Sequence, residues 1–542
     1  MRKKYLVAAI CFSAIFAFTF FIYEPLMMYA GNIDEFWFDL GILMSVMIVP
    51  FLVCFASLSV FYVLIFSLTK RETNVFWFIE IISFVGFIYL YIHGNFLTSM
   101  LPTLYGDTIN WWSGDLIIGH ILSLVLLLAI IIVIVFGIKR FSAAQTAKYS
   151  FFATVIFATM MMVSFVTTLA TPGLFVDKEV QSIATTKNIR QISTEKNFYI
   201  LLVDCTDSEA FNEYVKLKYQ DNFNDFTYYK DSAPGYSLTR DSIPLIFSGL
   251  YNRNELQFNA FSTDAFDHSS ILNFLNDDGY SVNLYSDDVV WNSKKSANIS
   301  NFNNNISNYS KKSFLKQEIK YVLYKYLPFA LKTFSNIESM DFMLAIRNEE
   351  SDGVINWKNT YYNDNVLSQA PEETTEKLFQ FVHIEGSHSP YDMDEELNLI
   401  SDGTYHQKVG AAAKVANSAI ERFKKAGVYD DSVIVIMSDH GWFTRDAVLY
   451  VKGFNEKHKS MKVSDKQVSW ANLDEAFTNL AKGATSEDAF KQISNFGEKR
   501  YYYVNPYYNK EPMVEYVLDE DGRSYNKDDW KKTGVEYPFP VR

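Results

Sequence analysis

Apolar residues are distributed along this chain in two different ways. In the first third they form runs over 5–23, 41–68, 75–93, 116–138 and 151–170. Each is long enough to cross a bilayer as a helix, for which about 20 residues suffice. Beyond residue 196 the runs shorten to strand length, at 197–203, 280–285, 378–384 and 433–436. Runs of this kind predict strands buried on both faces, as in a parallel sheet. Between them lie helical patterns, at 271–277 and, longest, at 404–426. Repeated strand-then-helix order is the mark of an α/β domain. The expected fold is an α-helical membrane domain of five transmembrane helices followed by an α/β domain with a mostly parallel central sheet.

The same pattern sets the boundaries. Residues 1–172 form the membrane domain. Residues 173–196 are polar and read as a juxtamembrane linker with helical character over 177–190. Residues 197–462 are the core of the second domain, with an Asn- and Ser-rich surface loop at 292–313. Residues 463–542, rich in Tyr and charge, read as a smaller α+β appendage.

Charge adds an orientation. Arg2, Lys3, Lys4, Lys70, Arg71, Lys139, Arg140 and Lys148 fall on one side of the spans, whereas Glu24, Asp34, Glu35, Asp39, Asp107 and Asp115 occupy the other. Basic loops stay in the cytoplasm. The N-terminus is therefore expected to be cytoplasmic and the first span an uncleaved anchor, and five crossings carry everything after residue 170 outside. Trp37, Phe38, Trp111 and Trp112 in the outer loops are expected as interfacial anchors. The first 172 residues hold 8 basic and 8 acidic side chains, so the net charge of −13 lies on the second domain. An acidic surface argues against nucleic-acid binding. Cys11, Cys54 and Cys205 are too few for a disulfide framework.

Candidate chemistry gathers where the short apolar runs end. Leu202-Val203 leads into Asp204. Pro234-Gly235 makes a turn ahead of Thr239 and Arg240. The 378–384 run contains His383 and is followed by Gly386-Ser387-His388. The 433–436 run is followed by Ser438-Asp439-His440-Gly441, and Asp287, Asp288 and Trp291 follow the 280–285 strand. Each has a plain structural reading: Asp204 and Thr239 suit helix N-caps, and Asp439 a turn. Ligands of open α/β sheets, however, bind beyond the carboxyl ends of the strands, so these exits converge on one place. Carboxylates and imidazole there suit a divalent metal. A hydroxyl at a helix N-terminus suits an anion, with Arg240 beside it to bond phosphate.

Taken in order, Asp204, Thr239-Arg240-Asp241-Ser242-Ile243-Pro244, His383-Ile384-Glu385-Gly386-Ser387-His388 and Ser438-Asp439-His440-Gly441 resemble the sulfatase-like branch of the alkaline phosphatase superfamily. The arrangement is most similar to its membrane transferases: lipoteichoic acid synthases and other phosphoglycerol transferases, and more distantly phosphoethanolamine transferases. That resemblance implies an extracellular alkaline-phosphatase-like domain with Thr239 as nucleophile. It implies Asp204, Thr239, Asp439 and His440 as metal ligands, His388 on the substrate phosphate or leaving group, and His383 as a further substrate contact. The oxygen-rich ligand set suits Mn²⁺ or Mg²⁺, and Zn²⁺ tolerates it. The expected partners are an anionic phospholipid donor and a cell-surface glycan or polymer acceptor. The alternatives are phosphoethanolamine transfer, a membrane-anchored phosphodiesterase or sulfatase-like hydrolase, and a metal-free binding protein. The Cys/Ser-x-Pro-x-Arg motif of true sulfatases is absent around Thr239, which argues against sulfate-ester hydrolysis.

Overall fold

The computed structural model describes residues 2–33, 36, 38–69, 73–102, 109–175, 183–303, 310–337, 355–491, 499–505 and 511–538. The chain folds as two compact units. One comprises Met1–Glu179 with Ser307–Asn348, the other Val180–Ile306 with Glu349–Arg542.

The first unit contains the five expected helices, Leu6–Gly31, Leu40–Leu68, Asn74–Phe96, Gly114–Arg140 and Ala143–Thr168, each long and apolar enough to cross a membrane. Their packing is strongly aromatic; Phe12, for instance, meets Phe84 edge-on at 4.6 Å. The unit also holds the helix Lys311–Tyr326 and the 3₁₀ turn Phe329–Ser335. This corrects the 197–462 boundary, which assigned both to the second domain. Five lysines make that helix read as soluble, yet it buries Phe314, Gln317, Glu318, Tyr321 and Val322. A Cβ on Gly94 would come within 2.4 Å of the Tyr326 ring, and one on Gly119 equally close to Phe329. Both rings therefore lie directly on bare helix backbone. Trp111 packs against Tyr324 and Phe329 and is buried, as is Phe38, so neither is an interfacial anchor. Trp112 is exposed, and Trp37 lies outside the described residues.

The second unit is built on a seven-stranded sheet. In chain order its strands are β1 (Asn197–Val203), β2 (Thr227–Ala233), β3 (Ser281–Tyr285), β4 (Leu378–Ile384), β5 (Ser432–Met437), β6 (Leu449–Lys452) and β7 (Lys462–Ser469). Their spatial order is β7-β2-β6-β5-β1-β4-β3. Only β6 runs antiparallel to its neighbours. The period of two explains the unbroken apolar runs: on β1, Phe198, Ile200 and Leu202 enter one core, while Tyr199, Leu201 and Val203 enter the core on the opposite face. The helix Tyr405–Lys425 covers the latter face and starts with a capping box of Thr404 and Gln407.

Three sequence-based expectations change here. Residues 183–184 and 191–193 are short strands pairing with 302–303 and 372–374, so this part of the linker is not helical; 176–182 lie outside the described residues. The 292–313 stretch is not simply a loop. It contains a 3₁₀ turn at Lys294–Asn298 and a short strand, and buried Asn301 bonds the backbone of Leu284 and Thr185. The 463–542 segment begins inside β7, and its helix Leu473–Ala481 completes the core. What stands apart is a three-stranded sheet of β8 (Arg500–Val504), β9 (Met513–Leu518) and β10 (Trp530–Tyr537).

Candidate active site

The registers of β1, β4 and β5 bring their carboxyl ends level: Val203 pairs with Ile384, and Leu202 with Met437. Asp204, His383, Asp439 and His440 consequently meet at one edge. The chain after β4 turns back at Gly386, whose φ is +53° and whose missing Cβ would fall 2.4 Å from the Asp204 backbone. Only glycine fits that approach. Thr239 is the first residue of the helix Thr239–Ser248, with Leu238 as its N-cap. The N-cap reading of Thr239 is thereby replaced, and its hydroxyl lies 3.4 Å from Asp204 Oδ1.

His440 Nε2 lies 3.2 Å from Asp439 Oδ2 and 3.9 Å from Asp204 Oδ1. The ring's other nitrogen, Nδ1, is 2.9 Å from the Gly441 carbonyl, which accepts its proton and leaves the Nε2 lone pair facing the carboxylates. Asp439 is fully buried; its Oδ1 accepts from the Cys205 N–H at 3.2 Å, and its Oδ2 has no hydrogen-bond partner among the described residues. Burial alone would raise the pKa of Asp204. The neighbouring imidazoles, His383 first and then His388 and His440, outweigh that, so this carboxyl is held well below the usual range. Burial and the Asp204 charge push Asp439 up. Burial works against protonation of His440, but Asp439 and Asp204 together raise its pKa. A divalent cation between the two carboxylates would relieve their repulsion and use the orphaned Asp439 Oδ2. Asp204, Thr239, Asp439 and His440 thus fit such an ion. The thiol of Cys205, 3.7 Å from His440 Nε2, adds a soft donor at the rim of this set, and burial keeps it protonated.

His383 stands between two carboxylates, with Nε2 3.5 Å from Asp204 and Nδ1 3.6 Å from Asp288. Trp357 packs edge-on against its ring at 4.3 Å and donates from Nε1 to Asp287. Asp288 and Trp357 are additions to the site. The first was signalled only by its place at a strand exit; the second had no signal. His388 is half-buried beside this group, its Nδ1 2.6 Å from the Ser389 carbonyl. Arg240 places its guanidinium over the Phe258 ring, 4.1 Å from the centroid.

Two supports were not legible in the sequence. Asp207 precedes the helix Ser208–Tyr214 but does not cap it. Its carboxylate instead accepts from the N–H groups of Trp442, Phe443 and Thr444 and from the Thr444 hydroxyl. Gly441 is required because a Cβ there would meet Asp207 Oδ1 at 2.5 Å; the close approach is to the protein itself rather than to a bound group. The β8–β10 sheet is more than an appendage. Ser237 donates to the Tyr503 carbonyl, Tyr503 N–H donates to Gly235, and Asn505 donates to buried Asp241, so this sheet braces the turn that presents Thr239.

Residues 221–462 match the family model described as Sulfatase. The match includes Thr239, His383, His388, Asp439 and His440 and begins after Asp204. No curated protein matches the chain. Among solved structures it is similar to a protein in the alkaline phosphatase superfamily from Vibrio parahaemolyticus, at 13% identity over 65% of this chain and 85% of that one, with a TM-score of 0.36. It is similar also to the C-terminal periplasmic domain of EcEptC from Escherichia coli, at 12% identity over 63% and 93%, TM-score 0.32. A third is the lipoteichoic acid synthase LtaP from Listeria monocytogenes, at 13% identity over 62% and 88%, TM-score 0.32.

Proposed function

We propose that this chain, a membrane protein carrying a sulfatase-family domain of the alkaline phosphatase superfamily, is a phosphotransferase. It moves a phosphoglycerol unit, or a similar head group, from an anionic membrane phospholipid to a hydroxyl of a cell-surface glycan or polymer. The observation that carries the reading is the Thr239 hydroxyl, at the start of a helix and 3.4 Å from Asp204, within the Asp439–His440 cluster. The charge asymmetry of the loops supports an outer-face position for this domain, on the side where a donor lipid and an acceptor would meet.

In the first half of the reaction Thr239 Oγ1 bonds to phosphorus as the P–O bond to the lipid glycerol breaks. The threonine proton ends on the released diacylglycerol. In the second half an acceptor hydroxyl attacks the same phosphorus, the Oγ1–P bond breaks, and the acceptor's proton returns to Thr239. A divalent cation held by Asp204, Thr239, Asp439 and His440 supplies Lewis-acid activation of the hydroxyl and screens the phosphoryl charge; Mn²⁺ or Mg²⁺ suits the donors best. His388 contacts the phosphate or leaving oxygen, and His383, whose pKa is lowered by burial but raised overall by Asp204 and Asp288, is a further substrate contact. Arg240 is the remaining candidate for phosphate binding.

Labelled phosphatidylglycerol tests this. Transfer of label to an acceptor fraction, with diacylglycerol released in proportion, is expected. Release of free glycerol phosphate at a rate indifferent to acceptor would instead identify a hydrolase. Labelled phosphatidylethanolamine distinguishes the phosphoethanolamine alternative in the same assay.

A further inference from the structure

Trp442 and Phe443, immediately after the Asp439-His440-Gly441 turn, are 48% and 61% exposed. Leaving such side chains half in water forgoes part of the gain from burying them, and the sheet cores on both faces are filled without them. Their backbone is nevertheless fixed. Asp207 gathers three successive N–H groups and the Thr444 hydroxyl, and the Phe443 ring stands edge-on to buried Tyr405 at 4.9 Å and 89°. The Trp442 and Phe443 rings are 6.4 Å apart at 84°, making a rigid corner. Trp442 is also 6.4 Å from His388. Three residues further on, Arg445 stacks on Tyr516 at 3.7 Å and pairs with no carboxylate among the described residues.

We propose that this corner is the acceptor subsite and takes a carbohydrate ring. The inference rests on the transferase reading above and adds where its acceptor binds. A pyranose offers an apolar C–H face to an indole and hydroxyls at its edge to an imidazole such as that of His388, and a preorganised aromatic loses little entropy in receiving it. The position beside the site is where a hydroxyl acceptor is needed. An acyl chain would favour an apolar surround over the histidine beside Trp442.

Saturation-transfer NMR with the full-length protein in detergent micelles tests it, using a panel of neutral oligosaccharides containing glucose, galactose or N-acetylglucosamine. At least one member is expected to show transfer from the wild type. Trp442→Ala should weaken that binding at least tenfold, and Trp442→Phe should restore part of it, with unchanged melting temperatures certifying the fold. Binding of no member, or equal binding by Trp442→Ala, overturns the proposal. So does loss of lysophosphatidylglycerol binding in place of sugar binding, which would give the corner to the lipid donor. Because the readout is binding, it succeeds or fails independently of whether the wild type transfers a head group.

Discussion

Thr239 Oγ1 and Asp204 Oδ1 lie 3.4 Å apart although β2, a turn and the Ser208–Tyr214 helix separate them in the chain. A hydroxyl and a carboxylate at this distance can share one cation. Asp439→Ala removes a fully buried carboxylate whose Oδ2 makes no hydrogen bond among the described residues. Titration of Mn²⁺ into the full-length protein should show at least a hundredfold weaker binding for this variant, and Cys205→Ser should bind close to wild type. Normal affinity in Asp439→Ala would remove Asp439 from the ligand set.

Gly386 is a second point of failure. Alanine there would place its Cβ 2.4 Å from the Asp204 backbone in a residue held at φ +53°. Gly386→Ala is expected to destabilise the second unit by about 3 kcal/mol or more, read as a lower denaturant midpoint. A Gly279→Ala control meets only the φ penalty, since nothing lies within 4 Å of its Cβ position, and should cost about 1 kcal/mol.

Arg500 on β8 pairs with fully buried Asp231 on β2 at 2.7 Å. Removing one partner of a buried pair costs about 3–5 kcal/mol, and the low end applies here because Arg523 and the Ser524 N–H also bond Asp231. Arg500→Ala should therefore lower stability by that order and, because the same sheet braces the Thr239 turn, reduce turnover more than substrate affinity. Turnover unchanged at full folding would show that the brace does not act on the nucleophile.

Stability should also carry a pH signature from Asp446. Burial, reinforced by the Asp207 charge, pushes this carboxyl up to about 7. The folded state thus holds its proton more tightly than the unfolded chain, so this group's contribution is greatest below about pH 4 and is lost as pH rises through 7. Asp446→Asn should gain about 1–3 kcal/mol relative to wild type at pH 8 and little at pH 4. An equal difference at both values would contradict the assignment.

How far the chain could be read beforehand follows from the physics of each part. The membrane helices and β1, β4 and β5 were legible because burial on all sides imposes long or unbroken apolar runs. Asp204, Thr239, His383 and the Asp439–His440 pair were legible as a set because strand exits announce themselves as abrupt polar turns. The Lys311–Tyr326 helix was not, since its buried face is aromatic and polar rather than aliphatic. Asp207 was not legible either, because its partners are backbone N–H groups more than 200 residues away, which leave no trace in composition. Asn505 and Tyr503 were hidden for the same reason.

The central claim is that Thr239 carries the group being transferred. Intact-protein mass spectrometry of the full-length enzyme, quenched in acid after incubation with phosphatidylglycerol and Mn²⁺ without acceptor, measures it directly. A mass increase of one phosphoglycerol unit, mapped to the peptide containing Thr239 and absent from Thr239→Ala, is the predicted result. An adduct on another residue, or lipid turnover by Thr239→Ala at the wild-type rate, would contradict it.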